Sequence, residues 1–221
     1  MDTINNLRIL DIKPDTETQV IVIWLHGLGA NASDFEPVLP ILNEVITGIR
    51  YIFPNAPLKS VSVNGGMMMP AWYDISNPDL SQHQDLDGIE ESCCNLEGLV
   101  THIRNEAEDN TPIILAGFSQ GGVIALTTAL TKDVDIQGVL ALSTYLPELK
   151  QHDITNKLDL SLLMMHGTSD PVIPIGFAKK SFEKLATLIS DTNWEEFPMD
   201  HSLCYEEVIK IGEWLKTIAN K

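Results

Sequence analysis

The chain has 221 residues, 44% of them hydrophobic and 20% charged, with 14 basic and 31 acidic side chains and a net charge of −17. That length suits one domain, 1–221, burying about 70–75% of the surface its unfolded chain would expose. So acidic a surface repels nucleic acid and anionic membrane leaflets, which excludes both as electrostatic partners.

In chain order, Leu7 to Ile12 alternates weakly, as an edge strand does, and Lys13-Pro14-Asp15 turns the chain. Val20 to Leu25 is a continuous apolar run, the pattern of a central parallel strand covered on both faces. After the His26-Gly27-Leu28-Gly29 loop, Ser33 and Glu36 read as a capping box opening a helix to about Val45. Tyr51-Ile52-Phe53 reads as a short strand ending at Pro54, followed by a long irregular stretch from Asn55 to Pro70. Asp85 to Asp109 carries Ile89, Cys93, Leu96, Val100 and Ile103 along one helical face.

Pro112 to Ala116 reads as a buried strand and Gly122 to Leu126 as the start of a packed helix. Buried strands follow at Gln137–Leu142 and Leu160–Met165. Helices are expected at about 175–188 and 203–218, with a short strand at Trp194–Phe197 between them. Strands and helices alternating throughout predict an α/β fold, a mostly parallel central sheet with helices on both faces and no segment spare for a large lid.

Three cysteines, Cys93, Cys94 and Cys204, are odd in number and two are adjacent, unlike a disulfide framework or a zinc site. A reducing, cytoplasmic setting is the simpler expectation. The N-terminus lacks the basic start and apolar core of a signal peptide, and no apolar run is long enough to span a bilayer.

The chemistry is concentrated in Gly117-Phe118-Ser119-Gln120-Gly121. A serine on a sharp strand-to-helix turn adopts a strained backbone that pushes its hydroxyl above the sheet, and glycines two residues away let strand and helix pass. Such a hydroxyl needs a base, and the base needs an orienting carboxylate. Of the histidines after Ser119, His201 lies in a loop that can deliver an imidazole to the strand ends; His152 reads as solvated and His166 as a core or turn residue. For the acid, Asp170 occupies a tight turn after a buried strand, where open α/β sheets bind ligands. Asp153 and Asp159 lie outside that turn, and Asp200, beside His201 in sequence, is the competitor; adjacent side chains in extended backbone point apart.

An oxyanion hole needs two N–H donors, and the backbone of Gln120 and Leu28 can supply them. The apolar loop residues Leu28, Met67, Met68, Met69, Trp72, Tyr145, Leu146 and Val172 suggest an acyl-binding groove, in which methionine adapts its shape. The glycine spacing matches no dinucleotide fingerprint or Walker loop, and no histidine or carboxylate pattern suggests metal, so no cofactor is expected.

Several blocks together resemble the phospholipase/carboxylesterase family of α/β-hydrolases, the carboxylesterase and acyl-protein thioesterase branch. They are Trp24 to Gly29, Pro54 to Pro57, Met69 to Asp74, Gly117 to Gly122, Leu142 to Pro147, His166 to Pro174 and His201-Ser202, in order over nearly the whole chain. The resemblance implies the α/β-hydrolase fold and a Ser119–Asp170–His201 triad with Leu28 and Gln120 as oxyanion donors. It implies action on carboxylesters of short to medium acyl chains, extending to thioesters, acylated proteins and lysophospholipids. It also implies a cytosolic protein without cofactor, some members being dimers. Asp200 departs from the pattern, since relatives tend to carry a small or apolar residue there, and this bears on the pH optimum. A non-catalytic binding protein on the same fold is the rival from another class, and it would have lost a triad member.

Overall fold

The computed structural model describes residues 2–149, 154 and 158–220. Strands β1 (Asp2–Ile4) and β2 (Leu7–Ile12) form a hairpin, so β2 is not the edge the sequence suggested. The turn between them is Asn5-Asn6, both at positive φ (45° and 64°), the backbone that two-residue hairpins require and that asparagine tolerates. β3 (Val20–Leu25) lies deep in the sheet.

The capping box that follows is built by Asn31 and Asp34, two residues earlier than Ser33 and Glu36. Asn31 Oδ1 accepts the Ser33 N–H at 2.9 Å and Asp34 Oδ2 accepts the Asn31 N–H at 3.0 Å. It opens a 3-10 helix, Ala32–Val38, with Pro37 inside. Pro37 has no N–H to give an α-helical ladder, and the α-helix proper, α1 (Leu39–Val45), begins only after it.

β4 (Ile49–Asn55) runs through Pro54 rather than stopping there; β3 pairs with β4 only as far as Ile52, so Pro54 lies beyond the end of that ladder. The stretch expected to be irregular contains an antiparallel hairpin, β5 (Leu58–Val61) and β6 (Met67–Pro70), joined through Gly65 and Gly66 at positive φ. Next come α2 (Leu86–Glu106), capped by Asp85 Oδ1 on the Gly88 N–H at 3.0 Å, β7 (Ile113–Phe118), α3 (Gln120–Thr131) and β8 (Gly138–Leu142). β9 (Leu158–Gly167), α4 (Ile175–Leu188), β10 (Ile189–Phe197) and α5 (Tyr205–Ala219) complete the order. β10 is thus longer than the Trp194–Phe197 segment read from sequence.

The main sheet has the order β1-β2-β4-β3-β7-β8-β9-β10, and the six strands from β4 onward run parallel. Side chains alternate across a strand, so the uniform apolar run of β3 divides between two cores. Ile21, Ile23 and Leu25 join the core under α2, α3 and α4, while Val20, Val22 and Trp24 join the one under α1 and α5. The apolar stripe of α2 is buried as its spacing predicts, and each aliphatic side chain so placed stabilises the fold by about 1.5–3 kcal/mol. This is the α/β-hydrolase arrangement, with helices on both faces and no large lid among the described residues. No helix there is long and apolar enough to cross a membrane.

Candidate active site

β3, β7, β8, β9 and β10 end at a common rim: Leu25 pairs with Gly117, Phe118 with Leu142, Leu142 with Met165, and Gly167 with Phe197. The residue after β7 is Ser119, at φ 53° and ψ −119°, a strained conformation for a side chain with Cβ. Two close approaches make the turn possible. A Cβ on Gly117 would stand 2.3 Å from the Gly121 carbonyl oxygen, and one on Gly121 would stand 2.4 Å from that of Leu25. The turn is pinned by the Ser119 N–H donating to the Leu142 carbonyl at 2.9 Å and by Thr144 Oγ1 donating to the Ser119 carbonyl at 2.7 Å.

Ser119 Oγ lies 2.9 Å from His201 Nε2, and His201 Nδ1 lies 2.7 Å from Asp170 Oδ2. Asp170 is buried, and its other oxygen accepts the Val172 and Ile173 N–H groups at 2.8 and 2.9 Å. The turn carrying it is tied to the loop carrying His201, because the Thr168 and Ser169 N–H groups donate to the Phe197 and Met199 carbonyls at 2.8 and 3.1 Å. The imidazole of His201 also leans on the Phe118 ring, centroids 4.8 Å apart. Asp200 is exposed and bonds Ser202 Oγ instead. His166 is fully buried with Nε2 2.8 Å from the Ile173 carbonyl, and burial lowers its pKa. His152 and Asp153 lie outside the described residues.

Ser119 and His201 open into a cleft of about 600 Å³. Leu28, Gln120, Tyr145 and Val172, each expected there, are in its wall. Met68, Met69 and Trp72 are not. Met68 is exposed on β6, Met69 on the same strand contacts Asn64 through its sulfur, and Trp72 is fully buried with its indole N–H donating to the His26 carbonyl at 2.8 Å. Their place is taken by Phe35, Val38, Tyr73, Ile75, Leu80, Phe118, Ile173 and Leu203, together with His26. The spacing of Tyr73 and Ile75 after the Met-rich hairpin was the available signal, but it did not say which side chains turn inward. Tyr73 and Tyr145 pair their hydroxyls at 3.1 Å, and burial holds both phenols above their usual pKa.

Gln120 begins α3, so its N–H has no acceptor within the helix; its side chain accepts the Trp72 N–H at 2.8 Å and donates to the Tyr73 carbonyl at 2.7 Å. The Leu28 N–H has no hydrogen-bond partner among the described residues. No group of three metal-binding side chains occurs among them either.

Residues 9–219 match the family model described as Phospholipase/Carboxylesterase. The chain is 32% identical to acyl-protein thioesterase 1 of Cryptococcus neoformans, over 95% of this chain and 97% of that protein. It is 33% identical to acyl-protein thioesterase 1 of Yarrowia lipolytica, over 88% and 90% respectively. Among solved structures, Zea mays acyl-protein thioesterase 2 superposes with a TM-score of 0.84 at 24% identity, covering 96% of this chain and 99% of that one. The Bacillus cereus carboxylesterase does so with a TM-score of 0.80 at 18% identity, covering 96% and 94%. These two likenesses carry the fold.

Proposed function

The chain belongs to the phospholipase/carboxylesterase family and is a serine hydrolase, and on that footing we propose that it cleaves carboxylic esters and thioesters of short to medium acyl chains through Ser119, His201 and Asp170, acting as a single domain. The observation that carries the proposal is the unbroken hydrogen-bonded run from Ser119 Oγ through His201 to buried Asp170, opening into an apolar cleft.

His201 Nε2 takes the Ser119 proton as Oγ attacks the acyl carbonyl, while the imidazole keeps its Nδ1–H on Asp170. The Leu28 and Gln120 N–H groups receive the charge that develops on the carbonyl oxygen, where fixed donors are most effective. Protonated His201 then gives its proton to the departing alcohol or thiol. Water repeats the sequence on the acyl-enzyme, with His201 as base and then as acid. An acylated protein or lipid-like ester fits the apolar walls, and the names of the curated relatives favour the acylated protein.

A fluorophosphonate probe tests the nucleophile: labelling should be complete in the native chain and absent in Ser119→Ala. A hydrolysis screen over acyl length, with oxygen and sulfur leaving groups in parallel, tests the substrate class. Failure of every ester and thioester to turn over would overturn it.

A further inference from the structure

The loop carrying Leu28 is held by groups outside the triad, one of which, His26, also borders the cleft. His26 Nδ1 lies 2.8 Å from the Gly27 carbonyl oxygen, and His26 Nε2 accepts the Ala56 N–H at 3.0 Å. An acceptor at Nε2 is unprotonated, so the proton is on Nδ1 and the ring donates to Gly27. The ring is almost fully buried, and burial lowers its pKa, which keeps it neutral. The same carbonyl also accepts the Ala30 N–H at 3.2 Å.

The Gly27 C=O and the Leu28 N–H are two ends of one peptide unit, planar and trans. Fixing the oxygen therefore fixes the direction in which the N–H points. The preceding peptide is fixed as well, because Trp72 Nε1 donates to the His26 carbonyl at 2.8 Å. The following one is held by the Gly29 N–H on the Pro70 carbonyl at 2.8 Å. Trp72 is in turn fastened to the elbow through its own N–H on Gln120 Oε1. Three consecutive peptides around Leu28 are thus locked to segments 55–56 and 70–73.

We infer that His26 and Trp72 are positioning residues that aim the Leu28 N–H at the developing oxyanion. The inference rests on the reading of Leu28 as an oxyanion donor. Trp72 thereby acts on the transition state without lining the groove.

The test separates transition-state from ground-state binding. Trp72→Phe removes the indole N–H and keeps an aromatic ring; His26→Phe removes both imidazole bonds; His26→Asn retains an amide N–H near the Nδ1 position. Each folded variant is assayed for kcat and KM on one ester. Each is also titrated with an alkyl trifluoromethyl ketone, whose hemiketal with Ser119 carries an oxyanion and is followed by fluorine NMR, and with the matching alcohol, which carries none. Trp72→Phe and His26→Phe should lower kcat and ketone affinity in parallel by about 10- to 100-fold, less than the ~10²–10³ of a deleted donor. In Trp72→Phe, which leaves the cleft wall untouched, KM and alcohol affinity should stay within about threefold, and His26→Asn should recover part of the loss seen in His26→Phe. If His26→Phe does not fold, Trp72→Phe decides. Ketone affinity within about threefold of the native value in the folded phenylalanine variants overturns the inference. Absence of any Ser119-dependent hemiketal in the native chain would instead sink the reading of the site itself.

Discussion

The carboxylate of Asp200 is bonded to Ser202 Oγ at 2.5 Å, and the imidazole one residue away is held instead by Asp170 at 2.7 Å. Sequence adjacency and chemical partnership are separated here, because the chain bends through residues 200–202 and turns the Asp200 carboxylate to the serine two residues on rather than to the imidazole beside it. Asp170→Asn is expected to lower kcat by about 10⁴-fold, because an amide favours the wrong imidazole tautomer. Asp200→Asn should change the rate only a few-fold. Full pH–rate profiles of both on one ester check this, and a reversed ranking would reassign the acid.

Ser119→Ala should remove turnover by about 10⁴- to 10⁶-fold and leave the fold intact. The alanine keeps the strained φ of 53°, since the turn is pinned by backbone bonds and by Thr144 rather than by the serine hydroxyl. Circular dichroism beside the kinetics separates loss of the nucleophile from loss of structure.

Acyl length should raise kcat/KM by about fourfold per methylene over the first carbons, since each buried methylene is worth about 0.8 kcal/mol. The rise should level off once the cleft is filled. Ile75 lines the cleft and is half-buried, so Ile75→Trp should bring the plateau to shorter chains. A profile flat from acetyl to octanoyl in the native protein would show that the acyl chain lies elsewhere.

Glu207, in the first turn of α5, is fully buried, and its two carboxylate oxygens find no hydrogen-bond partner among the described residues. Burial pushes its pKa up to about 8, with the nearby Cys204 backbone N–H opposing the shift. Between the ordinary carboxylate range and pH 8 the folded chain keeps a proton that the unfolded chain releases. This contribution to stability is therefore full in acid and is lost as pH rises through about 8. Glu207→Gln should flatten the decline of the melting temperature between pH 5 and pH 9 and leave the variant more stable than the native chain at the alkaline end. Parallel melting curves for the two proteins would refute this.

Much of this architecture was legible because burial on both faces leaves an unbroken apolar run, as in Val20–Leu25, and the elbow announces itself by its glycines. The hairpin at 58–70 was not legible, since strands of four residues show no periodicity and Gly65-Gly66 reads as loop. β1 was missed for a similar reason: it has three residues, and its signal was the Asn5-Asn6 turn. In the candidate site, the motif positions of Ser119, Asp170 and His201 carry their chemistry in the residue type. Met68 and Met69 carry none, and the indole N–H of Trp72 does not name its acceptor; an apolar residue near the rim is equally suited to face the cleft or the core, and only packing decides which.

The strap over 70–73 clamps the loop and elbow, whereas the wall residues Ile75 and Leu80 begin just after it and share none of those hydrogen bonds. Tyr73 belongs to both strap and wall, but positions 75 and 80 belong to the wall alone. A lineage, or a protein engineer, can reshape positions 75 and 80 to admit a new acyl group while the machinery that attacks it stays as it was.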